Sequence, residues 1–166
     1  MSIQINYKNN ISKKTTNNLV LFVDEKFNIG NLKKYISNLE YFYINDLLKN
    51  SDLKKNLFVF EINSQKKIVL VSIKNNLDNS DIENLGAEFY GRINNEKKSE
   101  YFLNSDSVSS KYENFIGYFL HGLKLKSYEF NLYKSKKEKK IISISVIGKK
   151  KKVTIQNELR FKAIEE

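Results

Sequence analysis

Two apolar runs with almost nothing between them constrain this chain more than any other feature. Leu57 to Ile62 reads LFVFEI and Ile68 to Ile73 reads IVLVSI. Both are rich in aliphatic, β-branched and aromatic residues, the composition of buried strands. Only the polar stretch Asn63 to Lys67 separates them. A parallel partner needs a crossover of about a dozen residues or more, so these two strands must pair antiparallel, as a hairpin.

On either side of the hairpin, strand-like and helix-like patterns alternate. Asn18 to Val23 (NLVLFV) reads as a buried strand. Leu32, Tyr35, Ile36, Leu39, Tyr43 and Leu47 then fall at steps of three and four along one helix face, which Asn50-Ser51-Asp52 ends. After the hairpin, Ser80-Asp81-Ile82-Glu83 spells a capping box, with Ser80 as the cap and Glu83 reaching back to it. Ile82, Leu85, Phe89 and Ile93 supply the buried stripe of that helix. Gly86 lies on the same face, where it permits close packing, while Gly91 and Asn94-Asn95 weaken the far end. Tyr101-Phe102-Leu103 is a short strand, and Tyr112, Phe115, Ile116, Phe119, Leu120 and Leu123 mark a third helix. Tyr128 to Tyr133 is expected to be extended, Ile141 to Ile147 (IISISVI) a strand, and a last helix to run from near Thr154 to Glu166. Strands interleaved with helices, one pair antiparallel, give an α/β fold of three layers, α/β/α, around a mixed central sheet. The 166 residues show no internal repeat and no linker, so a single domain spanning 1–166 is expected. A chain of this size buries roughly 70% of its unfolded surface.

The inventory of reactive groups is poor. There is no cysteine, which excludes disulfides and thiolate metal sites. His121 is the only histidine, so paired-histidine metal motifs and Cys–His arrangements are excluded too. At 100° per residue it lies roughly 160–180° from the centre of the third helix's apolar stripe, which turns it toward solvent. No nucleophile-elbow motif accompanies it. Asp78, Asp81 and Glu83 lack the spacing and glycine of an EF-hand loop and read as acids favouring a helix N-terminus. The six glycines, at 30, 86, 91, 117, 122 and 148, form neither GxGxxG nor a P-loop. Gly117 and Gly122 fall inside the third helix, where packing explains them. No apolar run approaches the roughly 20 residues of a membrane span. The start, MSIQINYKNN, lacks the apolar core of a signal peptide. A cytoplasmic protein without a membrane partner is expected.

Charge is unevenly spread. The formal net charge is +10, yet Lys124 to Glu166 alone carries 13 basic and five acidic residues, a net +8. Lys134, Lys136, Lys137, Lys139 and Lys140 precede one strand, and Lys149, Lys150, Lys151 and Lys152 follow it. These are solvated loops or, if both project to one side, a basic patch that attracts phosphate backbones with little sequence selectivity. An Asn-, Lys- and Ile-rich, proline-free composition weakens any argument from lysine count alone. Phe119, Leu120 and Leu123 are expected in the core, with Leu125 off the stripe. Tyr128 and Phe130, two apart on one extended face, are expected to be mostly buried and so no stacking platform for single strands.

The order NLVLFVDEKF, then NDLLKNSDLKKNLFVFEINSQKKIVLVSIKNNLDNSDIENLGAEFYGRI, then FLHGLKLKSYEFNLYKSKKEKKIISISVIGKK resembles the N-terminal domain of the cytosol (leucyl) aminopeptidase family. The likeness runs over about residues 18 to 166 and rests on the order and spacing of elements plus the LKSYEF stretch. It implies a macro-domain-like three-layer fold and a non-catalytic structural or regulatory role. It further implies a separate C-terminal domain, absent from this chain, that removes N-terminal amino acids from peptides with two divalent metals, Zn or Mn. No residue here matches that domain's metal or catalytic motifs, so the resemblance assigns this chain no catalytic residue, no metal ligand and no cofactor. It implies as partners that catalytic domain and the other subunits of a homo-hexamer. Two other readings are a basic nucleic-acid-binding module and, by fold analogy alone, an ADP-ribose reader or hydrolase.

Overall fold

The hairpin forms as the two apolar runs require. In the computed structural model, which describes residues 3–8, 18–94, 98–108, 114–133 and 141–148 together with Gln156 and Leu159, β3 (Leu57–Glu61) pairs antiparallel with β4 (Lys67–Ile73). Asn63 makes the turn: its Oδ1 accepts from the backbone N–H groups of Gln65 and Lys66 at 2.8 and 2.9 Å. The other strands are β1 (Ile3–Tyr7), β2 (Asn18–Asp24), β5 (Lys98–Asn104) and β6 (Ile141–Ile147). All their pairings are parallel, and the sheet runs β1-β6-β5-β2-β4-β3. A mixed sheet is therefore the central layer.

Period-two alternation sends the side chains of each strand to opposite layers. Val20 and Phe22, Val69 and Val71, Tyr101 and Leu103, and Ile142, Ile144 and Val146 meet α2 (Asn79–Ile93) and α3 (Phe115–Tyr133). Leu19, Leu21, Val23, Ile68 and Leu70 face the other way, onto a 3₁₀ helix (Gly30–Lys34) and α1 (Asn38–Lys49). The three-layer α/β/α arrangement follows. Toward β1 and β6 the second face turns polar: Asn6 donates to Ser143 at 3.2 Å, and Glu100 meets Lys8 at 3.0 Å and Ser145 at 3.4 Å.

Several local expectations are corrected. The first helical segment is broken: the 3₁₀ helix ends at Lys34, and Ser37 starts α1 afresh with a capping box to Glu40. The break shifts the helical phase. Ile44 and Leu48 are buried, whereas Leu39, expected inside, is 84% exposed and Tyr43 and Leu47 are exposed with it. The cap of α2 is Asp78 with Asp81 at the third position, not Ser80 with Glu83. Glu83 has another use, because His121 takes its carboxylate. The segment from Tyr128 to Tyr133 is helical, as α3 continues through it with neither proline nor glycine after Gly122 to stop it. Tyr128, expected mostly buried, is 37% exposed. The sequence pattern predicts no strand before Asn18, yet Ile3, Ile5 and Tyr7 alternate with Gln4 and Asn6 and form β1. The last helix, from Thr154, lies outside the described residues, of which only Gln156 and Leu159, both helical, fall in it.

The α2–α3 contact is backbone on backbone. A side chain at Gly86 would overlap the carbonyl of Phe119, and one at Gly122 would overlap the carbonyl of Glu83. Each helix thus presents a glycine to the other's main chain. Beside this crossing His121 Nδ1 lies 2.8 Å from Glu83 Oε1, with its side chain only 13% exposed. The expectation that His121 faces solvent is wrong for a definite reason. Two helices side by side on one sheet give α3 a second buried flank, toward α2, which the sheet-facing stripe does not reveal.

Candidate functional site

The sheet itself locates a concavity. The chain leaves β2 for the 3₁₀ helix and α1 on one face, and leaves β5 for α3 on the other. Adjacent parallel strands whose connections diverge in this way leave a crevice at their carboxyl ends, the switch point where α/β sheets bind ligands. Here β2 pairs with β5 only from Asn18 to Val20, while its ladder with β4 continues to Asp24. Beyond Val20 the two strands part.

A second 3₁₀ turn, Ser105–Ser107, holds them apart. Asn104 caps it, accepting from the backbone N–H of Asp106 at 2.9 Å. Ser107 Oγ donates to the Asn104 carbonyl at 2.7 Å and accepts from the Phe22 N–H at 3.0 Å, replacing the lost ladder bond of β2. Ser105 Oγ, fully buried, donates to the Ile147 carbonyl at 2.7 Å and fixes the turn to the end of β6. On the opposite rim Asp24 Oδ1 accepts from the backbone N–H groups of Lys26 and Asn28 at 3.1 and 2.9 Å. This turn carries Phe27 at φ 55°, a left-handed conformation stabilised by packing of its buried ring edge-on to Phe58 at 4.9 Å. The cavity so framed has a volume of about 520 Å³ and is lined by Phe22, Val23, Leu32, Tyr35, Ile73 and Val108 among apolar groups. Its polar lining comprises Asp24, Asn28, Asn31, Lys34, Asn75, Asp106 and Ser107. Lys34 Nζ sits 5.4 Å from the centre of the Tyr35 ring.

This lining can hold a small polar ligand by charge and hydrogen bonds. It offers no histidine or cysteine, and among the described residues no three His, Cys, Asp or Glu side chains gather to hold a metal ion. His121 is not in the lining. Asp78 and Asp81 cap α2, and Glu83 pairs with His121. The nine lysines of the basic segments, Lys134, Lys136, Lys137, Lys139, Lys140 and Lys149 to Lys152, lie outside the described residues. The sequence patterns do not predict this crevice. Its signals are present in the sequence: an aspartate closing one apolar strand in FVDEKFN and another two residues beyond a second in FLNSDS, with the Asn/Ser/Asp composition of side-chain-stabilised turns. Among the described residues no helix is long and apolar enough to cross a membrane.

No family model matches the chain, and no curated protein matches it in sequence. Its fold does match solved structures. One is a mutant tomato leucine aminopeptidase, similar at a TM-score of 0.62 with 16% sequence identity. The match covers 95% of this chain but 35% of that one, so the chain spans about a third of the length of the enzyme whose fold it shares.

Proposed function

We propose that this chain is a non-catalytic, N-terminal-type domain of a leucyl aminopeptidase-like metalloexopeptidase. One observation carries the reading: nearly the whole chain superposes on a part of a leucine aminopeptidase. The sequence resemblance to the same family, in element order and the LKSYEF stretch, supports the same parent. On this reading peptide-bond hydrolysis belongs to a catalytic domain outside these residues, with two divalent metals, Zn or Mn. The domain supports or regulates a cytoplasmic homo-hexamer and contacts its own catalytic domain.

The test is the size of the native gene product, read by immunoblot with an antibody raised against these residues. A product well above the 19.5 kDa of this chain, co-purifying with metal-dependent release of N-terminal leucine, is expected. A product near 19.5 kDa with no such activity overturns the reading. The alternative, a basic nucleic-acid-binding module, draws on the net +8 of the last quarter. It gains ground if that small product binds DNA with an affinity that falls steeply with salt and is lost when Lys136, Lys137, Lys139 and Lys140 become Glu.

A further inference from the structure

We propose that the free edge of β3 and the outer stripe of α1 form one docking surface for a second copy of this chain, joined by antiparallel β3–β3 pairing about a twofold axis at Val59. The inference rests on this edge and helix alone and holds whether or not the parent is a peptidase.

The edge strand turns its bonding groups outward. β3 ends the sheet order, and among the described residues only β4 pairs with it. Antiparallel ladders alternate bonded and non-bonded pairs. Ser72 N–H donates to the Asn56 carbonyl at 2.8 Å and Ile62 N–H to the Lys66 carbonyl at 3.0 Å, so the bonded register falls on Asn56, Phe58, Phe60 and Ile62. Leu57, Val59 and Glu61 therefore point their N–H and C=O groups away from β4. The Glu61 carbonyl accordingly accepts the Tyr43 hydroxyl at 3.3 Å. The pairing with β4 runs without a bulge, and no proline guards the strand.

The helix beside this edge decides the occupant. Tyr43 and Glu40 reach Glu61 and Lys66, which seats α1 over the β3–β4 pair. A twofold axis normal to the sheet keeps both copies of α1 on one face. With strands about 4.8 Å apart, each helix lies about 5 Å from the axis, and the two meet at about 10 Å, the spacing of packed helices. The surfaces that meet are apolar: Leu39, Phe42, Tyr43 and Leu47 are 84, 62, 45 and 39% exposed. They offer on the order of 400 Å² per copy, and with the strand edges two copies reach the lower end of specific interfaces, about 1,200 Å². An extended peptide would pair with the edge but leave this stripe bare. An interface of this size is weak, so the chain is monomeric below about 10 μM, where urea titrations report the monomer.

Sedimentation equilibrium of the full chain tests this, with cysteine trapping to fix the register. A mass of twice 19.5 kDa is expected at high concentration, and Leu39→Glu should weaken association at least tenfold. The chain has no cysteine, so single cysteines report cleanly. Val59→Cys should cross-link to itself on mild oxidation, because residues opposite each other in a bonded pair lie about 5.5 Å apart. Glu61→Cys, opposite Leu57 of the second copy, should not. Leu39 is exposed, so its variant keeps the test meaningful if Val59→Cys is unstable. The proposal fails if the chain stays monomeric up to millimolar concentration, if Leu39→Glu associates as the parent does, or if Glu61→Cys links as fast as Val59→Cys. It fails too if the Val59 amide is equally protected from exchange in dilute chain, since another segment of the same chain would then hold the edge. None of these outcomes bears on the size of the native gene product, so this inference and the aminopeptidase reading can fail separately.

Discussion

Gly86 and Gly122 do at single positions what no larger residue could. Each lets the opposite helix's carbonyl approach to backbone distance, so α2 and α3 lock at a fixed depth over the sheet. Gly86→Ala would push a methyl into the Phe119 main chain, which cannot retract the way a side-chain tip can. We expect a loss of about 1–3 kcal/mol or more in chemical denaturation. Gly91 is the internal control. It lies in the same helix with nothing within 4 Å of a Cβ, so Gly91→Ala should raise stability by about 0.5–1 kcal/mol through helix propensity alone. Equal effects at the two positions would refute the close-crossing account. Gly86 was legible in the sequence because it interrupts an apolar stripe at a helical step. His121 was not, because its partner Glu83 lies 38 residues away on another helix, and a one-helix wheel has no place for a neighbour.

The helix α1 shows how one break rewrites an element. A continuous helix from Leu32 would bury Leu39, Tyr43 and Leu47, but the cap at Ser37 starts a new phase and buries Ile44 and Leu48 instead. Ser37-Asn38-Leu39-Glu40 is itself a capping-box signature, which apolar periodicity does not register. Glu40 does two jobs: Oε2 accepts from the Ser37 N–H at 3.3 Å, and Oε1 pairs with the nearly buried Lys66 of the β3–β4 turn at 2.8 Å. The cap therefore fixes α1 to the hairpin as well as starting it. Ile44→Ala should cost about 2–5 kcal/mol. Leu39→Ser, on the exposed flank, should stay within about 0.5 kcal/mol of the parent in the same urea titration. A large loss from Leu39→Ser would mean that the outward stripe of Leu39, Phe42, Tyr43 and Leu47 is covered in solution.

The layered α/β fold could be read from the sequence because a short polar hairpin forces an antiparallel pair and the remaining runs alternate with helical stripes. The crevice could not, since it arises from strand order. Only the sequence β5-β2-β4 puts Asp24 and Asp106 at one switch point, and pairing order is a long-range property that local periods do not encode. The edge strand β1 was missed for a related reason: its alternation is short and half polar, and only parallel pairing with β6 makes it a strand. The order makes a graded prediction for amide exchange. β4 has a hydrogen-bonded neighbour on each side, so Val69 to Val71 should exchange only through global unfolding, while β1 opens locally. Phe22 is the diagnostic case. Its N–H is held by Ser107 Oγ rather than by a strand, at the point where β2 and β5 part. Ser107→Ala leaves that donor unpaired at a part-buried site and should cost about 1–3 kcal/mol. Protection should fall at Phe22 well before it falls at Val69 to Val71. If the Phe22 amide keeps its parental protection in Ser107→Ala, the serine is not what holds the strands apart, and the crevice owes its shape to something else.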